Sequence, residues 1–233
     1  MDAVPGSGSF QPIETIVDCD AVLFDMDGTL VDSRALVERM WLLWAAQHQL
    51  PAVAVLAVAH GRRTLETMQL VAPHLATPEE AAWLDALEAA EEGEETQVAG
   101  AAALLASLPP ERWAVVTSAL HHLAANRLTA VGLPVPRVLV GAEDVATGKP
   151  APDGYRQAAQ ALGVSPSRTV VVEDAPAGAQ AARAAGAFVV GLRTTFPDLE
   201  GCDLLIPDLR GIRLLPPLAG WGLRLALSPR LPE

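Results

Sequence analysis

Seven side chains that could take part in chemistry follow short apolar segments of this 233-residue chain. In chain order they are Asp25, Asp27, Thr117, Ser118, Lys149, Glu173 and Asp174. A hard cation such as Mg²⁺ prefers carboxylate oxygens as ligands, while hydroxyl groups and a lysine can hold the oxygens of an anion. Brought into one crevice, the set could therefore transfer a phosphoryl group with the help of a bound metal ion.

The spacing of the first acidic pair suits two different steps of such a reaction. One carboxylate can attack phosphorus to give an acyl phosphate. A second carboxyl group two residues further on points in another direction, where it can protonate the leaving alkoxide and then activate water. Gly28 follows the pair, so the chain can turn sharply there, and the N–H groups of the turn can hold phosphate oxygens.

Each motif taken alone also has an ordinary structural explanation. Asp-x-Asp-Gly is often a turn, Thr-Ser at a strand end is usually a helix cap, and Gly-Lys-Pro is an ordinary loop. Glu-Asp before a proline is an ordinary helix start. Because all of them occur in one chain, in this order and each after a predicted strand, we favour a shared site over coincidence.

Apolar strands and the helices between them must position these side chains. Residues 21–24 form a short continuous apolar run, as expected of a strand that is buried on both faces of a sheet. After residue 100, helical patterns alternate with apolar segments at 113–117, 138–140, 169–172, 188–192 and 204–206. This alternation predicts an α/β fold with a doubly wound, Rossmann-like parallel sheet, in which ligands bind beyond the carboxyl ends of the strands.

The segment between the first strand and the rest of the predicted sheet has a helical pattern and is predicted to be an insertion. The predicted domains are a flexible leader (1–18), a sheet domain (19–32 and 100–233) and an inserted α-helical cap domain (33–99). Between Glu79 and Glu95 the insertion carries eight acidic residues and no basic one. We interpret this run as a solvated helix face.

The charge and the cysteines restrict the partners and the compartment. The formal net charge of −12 argues against nucleic acid or an anionic membrane as the main partner, because both need a basic patch. A small phosphorylated metabolite is compatible, since a metal ion and a few cations can reverse the sign of one pocket. Cys19 and Cys202 form neither a metal motif nor a disulfide framework, and the N-terminus lacks the features of a signal peptide. We therefore predict a cytoplasmic protein without nucleic-acid or membrane partners.

Four segments of the chain resemble the motifs of the haloacid dehalogenase superfamily in its phosphatase branch. They are 24–33, 116–118, 148–150 and 172–178. The resemblance implies a phosphatase with a haloacid dehalogenase-like core and places a helical cap between the first and second motifs. It also implies that Asp25 is the nucleophile and Asp27 the acid/base. The dehalogenase branch looks different at Asp27, so hydrolysis of a carbon–halogen bond is disfavoured.

The same resemblance implies a Mg²⁺ cofactor and the residues that hold it and the substrate. The implied metal ligands are Asp25, Asp27 through its backbone carbonyl, Asp174, and Glu173 either directly or through water. The implied phosphate-binding residues are Thr117, Ser118 and Lys149.

Four segments, two of which overlap the motifs above, are similar to glycerol-3-phosphatases and 2-deoxyglucose-6-phosphatases. They imply a small sugar or polyol phosphate as the substrate. They are 60–64, 113–118, 148–155 and 190–196. Within the predicted cap, His60, Arg62 and Arg63 are the candidates for contact with the substrate. The alternative is that these three residues are exposed or helix-capping cations.

The predicted function is the Mg²⁺-dependent hydrolysis of a small sugar or polyol phosphate through an aspartyl phosphate, by a monomer or weak homodimer. Two alternatives stay open. A sugar-phosphate mutase of the β-phosphoglucomutase type would form the same intermediate and pass the phosphoryl group to a second sugar hydroxyl. A protein that binds phosphorylated ligands without catalysis would have degenerate acidic positions, whereas Asp25, Asp27, Lys149 and Asp174 are all present.

Overall fold

The computed structural model of the protein describes residues 14–91 and 95–229. The strands are β1 (Thr15–Cys19), β2 (Ala21–Phe24), β3 (Val31–Asp32), β4 (Thr96–Gln97), β5 (Trp113–Val116), β6 (Leu139–Val140), β7 (Thr169–Glu173), β8 (Phe188–Leu192), β9 (Leu204–Ile206), β10 (Ile212–Leu215) and β11 (Leu223–Leu227). The α-helices are α1 (Arg34–Gln47), α2 (Ala52–Ala59), α3 (Thr64–Val71), α4 (Pro78–Ala90), α5 (Ala101–Ser107), α6 (His121–Ala130), α7 (Asp153–Ala161) and α8 (Pro176–Ala185). Among the described residues, no helix has both the length and the apolar composition that crossing a membrane requires.

The central sheet is parallel and has the strand order β6-β5-β2-β7-β8-β9. In the middle strand, Phe24 is in register with Val115 of β5 and Val172 of β7. Every residue of β2, β5 and β7 is buried, as expected of strands covered on both faces. The predicted α/β fold with a parallel sheet is therefore confirmed, and the residues that follow β2, β5 and β7 are neighbours at one edge of the sheet.

Apolar side chains from the helices cover both faces of this sheet. On one face, the rings of Phe24 and Trp113 meet edge to face, with their centroids 6.3 Å apart. On the other face, the buried Tyr155 of α7 and the alanines of α8 pack against β2 and β7. Helix α8 begins at Pro176 and ends at Gly186, which has a φ of 92°, in agreement with the preference for proline at the start and glycine at the end of a helix.

Helices α1 to α4 have an apolar cluster of their own, separate from the clusters that cover the sheet. Its largest members are Met40, Trp41, Trp44 and Met68. Helix α4 begins as its sequence indicates, with Pro78 in the first turn and the Thr77 hydroxyl accepting a hydrogen bond from the N–H of Glu80. Because the two groups of elements have separate cores, we propose that the predicted boundaries of the insertion, 33–99, hold, with α1 to α4 as the cap.

The two chain segments that connect the sheet to the helical insertion are hydrogen-bonded to each other. Strands β3 and β4 pair antiparallel, with Val31 opposite Gln97, and the N–H of Val98 donates to the carbonyl of Leu30. The chain therefore leaves the sheet domain and returns to it at one point. A single narrow connection of this kind is where a hinge between two domains is expected.

The flexible leader was predicted to end at residue 18, and this boundary is wrong. Residues 15–18 belong to β1, which pairs with β11 along its whole length, and β11 also pairs with β10. This antiparallel sheet joins segments about two hundred residues apart, so no local pattern in the sequence marks it. The rest of the predicted leader, residues 1–13, lies outside the described residues.

Two neighbouring positions of α3 test whether the helical insertion depends on its own core. Met68 is fully buried in the cluster of α1 to α4, whereas Leu70 is 57% exposed. We expect Met68→Ala to lower the free energy of unfolding by about 2–5 kcal/mol because it leaves a cavity. Leu70→Ala should change it by less than about 0.5 kcal/mol. Urea unfolding followed by circular dichroism measures both, and equal effects would contradict a packed core in the insertion.

Candidate active site

Four charged side chains meet at the carboxyl edge of the sheet, each almost completely buried. They are Asp25, Lys149, Glu173 and Asp174, with exposed fractions between 0 and 6%. Asp25 follows β2, while Glu173 ends β7 and Asp174 follows it, so the parallel pairing of these strands places the three carboxylates together. Oxygen atoms of the three lie within 4.8 Å of one another.

Lys149 neutralises part of this cluster. Its Nζ donates to Asp25 Oδ1 at 2.5 Å and to Glu173 Oε1 at 2.7 Å. Burial alone would lower the pKa of Lys149, but the two carboxylates outweigh burial and raise it. The lysine is therefore a fixed positive charge beside Asp25.

One ammonium group does not balance three buried carboxylates. Burial, together with the charges of Glu173 and Asp174, raises the pKa of Asp25 well above its ordinary value in spite of Lys149. Burial and the charge of Glu173 raise the pKa of Asp174 to about 7, although hydrogen bonds from Thr195 and Thr29 oppose the shift. An excess of negative charge on closely spaced oxygen ligands is the environment that fits a hard divalent cation such as Mg²⁺.

Glu173 is the least available ligand of the three acidic residues. Its Oε1 accepts hydrogen bonds from Lys149 and, at 2.5 Å, from the hydroxyl of Tyr155. Its Oε2 accepts from the N–H groups of Asp174 and Ala175. Because both oxygens have protein donors, this arrangement favours an indirect role for Glu173, in which it holds Lys149 in place. Tyr155 lies in a segment that carried the family resemblance, but no feature of the sequence indicated this contact.

The side chain of Asp27 lies apart from the carboxylate cluster and lines the same cavity. Its Oδ1 accepts hydrogen bonds from Ser33 Oγ at 2.7 Å and from Arg127 Nη1 at 2.8 Å. Asp25 and Asp27 thus lie in different surroundings, as expected if one is the nucleophile and the other the acid/base. Arg127 belongs to α6 and was not among the residues indicated by the sequence.

Gly28 has a steric role, and its own N–H is not free to hold phosphate. The N–H donates to the carbonyl of Val31 at 2.7 Å, so it is already used within the turn. The residue has a φ of 82°, and a Cβ atom there would collide with the carboxylate of Asp174 and lie 2.6 Å from Thr195 Oγ1. Glycine therefore allows the turn and the close approach of Asp174.

Thr117 and Ser118 lie beyond the end of β5 and line the cavity. The buried hydroxyl of Thr117 accepts a hydrogen bond from the N–H of Ala119. The hydroxyl of Ser118 donates to the carbonyl of Gly61 at 3.0 Å. Gly61 belongs to the connection between α2 and α3, so Ser118 links the sheet domain to the helical insertion in this conformation.

The three candidate residues of the insertion all line the cavity, but their contacts differ. Arg63 precedes α3 and donates to the carbonyls of Val145 and Ala146, so it fastens the insertion to a loop of the sheet domain. Arg62 makes a longer contact, 3.4 Å, to the carbonyl of Lys149. His60 lies 3.7 Å from Glu38, and burial lowers its pKa.

The cavity between the sheet and the helices has a volume of about 260 Å³. Asp25 and Asp27 lie on one side, and residues of α1 and α4 on the other, including Trp41, Asp85 and Glu88. The interpretation of the acidic run as a solvated face is therefore wrong for Asp85 and Glu88. They lie three residues apart, so one turn of α4 directs both to the same side of the helix.

Burial raises the pKa of both Asp85 and Glu88. Asp85 accepts a 2.5 Å hydrogen bond from the hydroxyl of Thr64, and Glu88 pairs with Arg127. Their position could not be read from the sequence, because the composition of the run does not say which face of the helix meets the cavity.

Known proteins similar to this chain have a consistent chemistry. The haloacid dehalogenase-like hydrolase family matches residues 19–186. Hexitol phosphatase A of Escherichia coli K12 is 41% identical, over 83% of this chain and 93% of that protein. Glycerol-1-phosphate phosphohydrolase 2 of Saccharomyces cerevisiae is 35% identical, over 84% of each chain. The crystal structure of a hydrolase from Pseudomonas syringae matches with a TM-score of 0.72 and 25% identity, covering 82% of this chain and 94% of that one. The resemblance of the four motifs is thereby confirmed.

Without metal, repulsion within the carboxylate cluster should appear as a pH dependence of stability. The pKa of Asp174 is raised from 3.8 to about 7 in the folded protein, so between these values the folded state binds more protons than the unfolded state. The contribution of Asp174 to the free energy of unfolding is therefore full below about pH 4 and is lost as the pH rises through about 7. We expect metal-free protein to lose stability across this range relative to Asp174→Asn, measured by urea unfolding in EDTA.

Added Mg²⁺ should reverse this trend, because a carboxylate must be deprotonated before it binds a metal ion. The increase in melting temperature on adding MgCl₂ should grow from about pH 5 to about pH 8 in the unaltered protein, and it should be small in Asp174→Asn. A stability difference between the two proteins that is independent of pH would contradict the raised pKa of Asp174.

Proposed function

Because the chain belongs to the haloacid dehalogenase-like hydrolase family, we propose that it hydrolyses the phosphate monoester of a small polyol or sugar with the help of Mg²⁺. The observation that carries the proposal is the buried contact of Asp25 with Lys149, at the side of a cavity that the helical insertion closes. A carboxylate beside a fixed positive charge and two further carboxylates suits a nucleophile that receives a phosphoryl group next to a metal ion.

In the proposed first step, a carboxylate oxygen of Asp25 attacks phosphorus, and the bond from phosphorus to the alcohol oxygen breaks. Asp27 gives its proton to that oxygen, so the alcohol leaves neutral and an aspartyl phosphate stays on Asp25. In the second step, Asp27 takes a proton from water while the water oxygen attacks phosphorus. The bond between phosphorus and Asp25 breaks, inorganic phosphate is released, and the free carboxylate of Asp25 and the protonated Asp27 are regenerated.

The residues around this reaction have distinct parts in the proposal. Lys149 offsets the negative charge that develops on the phosphoryl oxygens, and the hydroxyl groups of Thr117 and Ser118 supply hydrogen bonds to them. Mg²⁺ would be held by Asp25, Asp174 and the backbone carbonyl of Asp27, and when bound it supplies the positive charge that lets a carboxylate approach a phosphate dianion.

The wall of the cavity supports a neutral alcohol as the leaving group. Asp85 and Glu88 add negative charge on the side away from Asp25, where carboxylates can accept hydrogen bonds from hydroxyl groups and repel a second anionic group. Of the cavity arginines in the described residues, Arg34 pairs with Glu38 and Arg127 pairs with Glu88. Arg63 binds a loop of the sheet domain, and Arg62 makes a 3.4 Å contact to the carbonyl of Lys149. The hexitol and glycerol phosphate relatives are consistent with this class of substrate.

The same wall disfavours a sugar-phosphate mutase. A mutase that works through a bisphosphate must hold a second phosphate at the far end of the cavity while the first is transferred. Asp85 lies on the part of the cavity wall that α4 contributes, and its negative charge would repel a second phosphate there.

The proposal predicts release of inorganic phosphate from polyol phosphates. Hexitol phosphates, glycerol phosphates, 2-deoxyglucose 6-phosphate, hexose phosphates and nucleotides would be assayed with Mg²⁺ and with EDTA. We expect turnover that needs Mg²⁺ and falls at least about a thousandfold in Asp25→Asn, which lacks the nucleophile.

Asp198→Asn, at an exposed position, is the matched control and should keep full activity. Folded, metal-loaded protein that releases no phosphate from any ester would overturn the proposed function. Conversion of one sugar phosphate into another only when a bisphosphate is added would favour the mutase.

The acidic wall predicts a defined change in selectivity. Replacing Asp85 with asparagine keeps a hydrogen-bond acceptor and removes the repulsion of anionic leaving groups. We expect Asp85→Asn to raise kcat/KM for phosphoglycolate, relative to a hexitol phosphate, by about tenfold, which corresponds to about 1.4 kcal/mol of differential binding.

Glu79→Gln removes one negative charge from an exposed position of the same helix, so it controls for net charge and should leave the ratio unchanged. An equal shift in both variants would show that long-range charge, and not the wall of the cavity, sets the selectivity.

A further inference from the structure

We propose that Arg127 is a positioning residue that holds the acid/base Asp27 in its working orientation only while the cap, helices α1 to α4, lies on the sheet domain. This inference rests on the proposed function, because it assigns Arg127 to the proton-transfer step. Arg127 makes two hydrogen bonds, one to Asp27 and one to Glu88 of the cap.

One guanidinium group joins three separate parts of the chain. Arg127 lies on α6 of the sheet domain, and its Nη1 donates to Asp27 Oδ1 at 2.8 Å. Its Nη2 donates to Glu88 Oε1 on α4 of the cap. The side chain of Arg127 is only 10% exposed and that of Glu88 17%, so these hydrogen bonds are largely shielded from water and depend on each other.

Arginine suits this position because its nitrogen atoms are fixed in one plane. A planar fork that binds Glu88 with one nitrogen can present the other to Asp27 only at a set angle. Ser33 Oγ also donates to Oδ1 of Asp27, so both contacts use the same oxygen and fix the rotation of the carboxyl group. Oδ2 is then the oxygen that exchanges a proton with the leaving alcohol or with water.

Other contacts also fasten the cap to the sheet domain, but they do not touch Asp27. Arg63 binds the carbonyls of Val145 and Ala146, and the carboxylate of Glu66 accepts from the N–H of Gly148. When the cap moves away, Arg127 loses Glu88, and its guanidinium is free to rotate away from the angle that suits Asp27. The acid/base is thus correctly held when the substrate is enclosed and the leaving group is in place.

The test compares two leaving groups. The alkoxide of a polyol phosphate needs a proton as it leaves, whereas p-nitrophenolate is a stable anion that leaves without one. The ratio kcat/KM reports the steps up to departure of the alcohol, so it isolates the role of Asp27 as an acid. General acid catalysis contributes about 10²–10⁴-fold.

We expect Arg127→Ala to lower kcat/KM for glycerol phosphate by about a hundredfold or more, and for p-nitrophenyl phosphate by less than about tenfold. Asp27→Asn should show the same selective loss, and Glu88→Gln a smaller loss of the same kind. Because Asp27 also activates water, Arg127→Ala should give a burst of one p-nitrophenol per enzyme followed by slow turnover. Arg127→Lys keeps the charge without the fork and should recover only part of the lost activity.

Arg63→Ala is the matched control, since it removes a contact of the cap that does not touch Asp27. It should lower kcat/KM for both substrates by a similar factor. If Arg127→Ala lowers kcat/KM equally for the two substrates, Arg127 only attaches the cap to the sheet domain, and the inference is overturned. No loss of kcat/KM would overturn it as well. If Arg127→Ala does not fold, as judged by circular dichroism, Glu88→Gln gives the same comparison from the cap side. If the unaltered protein hydrolyses neither ester, the proposed function fails first, and this inference fails with it.

Discussion

The ion pairs of Lys149 with Asp25 and Glu173 are the interaction on which the rest of the site depends. A buried charge without a partner is destabilising by several kcal/mol, so removing Lys149 would leave the buried carboxylates uncompensated. The three residues come from separate segments, two at the ends of β2 and β7 and one in the loop that leads to α7. The charges can therefore meet only because β2 pairs with β7. The order of the strands in the sheet determines which side chains lie together in the site.

Incomplete neutralisation of this cluster defines what can enter it. With three carboxylates and one ammonium group, the site repels a free phosphate dianion more than it attracts one. A divalent cation removes that repulsion and lets the nucleophile and the phosphate approach. In the proposed mechanism, the excess negative charge prepares the site for a metal ion, and binding of a phosphate ester would then depend on that ion. The raised pKa of Asp174 and the proposed Mg²⁺ requirement are two expressions of the same excess charge.

The sequence was sufficient where function lies directly after a strand. Asp25, Glu173 and Asp174 could be predicted as one cluster because parallel strands end at one edge of the sheet. Lys149 was placed with them because the loop that carries it follows the strand β6 of the same sheet. Arg127, Glu88 and Asp85 could not, since their contacts depend on how a helical domain sits on the sheet. The antiparallel sheet of β1, β10 and β11 was missed for a similar reason, because it joins distant segments. The turn at Gly28 was predicted, but the bond from its N–H to Val31 was not, because no pattern in the sequence indicates which N–H of the turn is already used.

The two carboxylates of the first motif depend on different parts of the molecule. Asp25 is held by the ammonium group of Lys149, whose hydrogen bonds lie within the sheet domain. Asp27 is held by Arg127, which also contacts the cap. In the proposed mechanism, the group that attacks phosphorus is therefore held independently of the cap, and the group that protonates the leaving alcohol is not. Substitutions in the cap can then change which alcohol is accepted without altering the phosphoryl chemistry. If protonation of the leaving group is coupled to enclosure of the substrate as proposed, an ester that fits the phosphate end but leaves the cap open would react slowly even when bound.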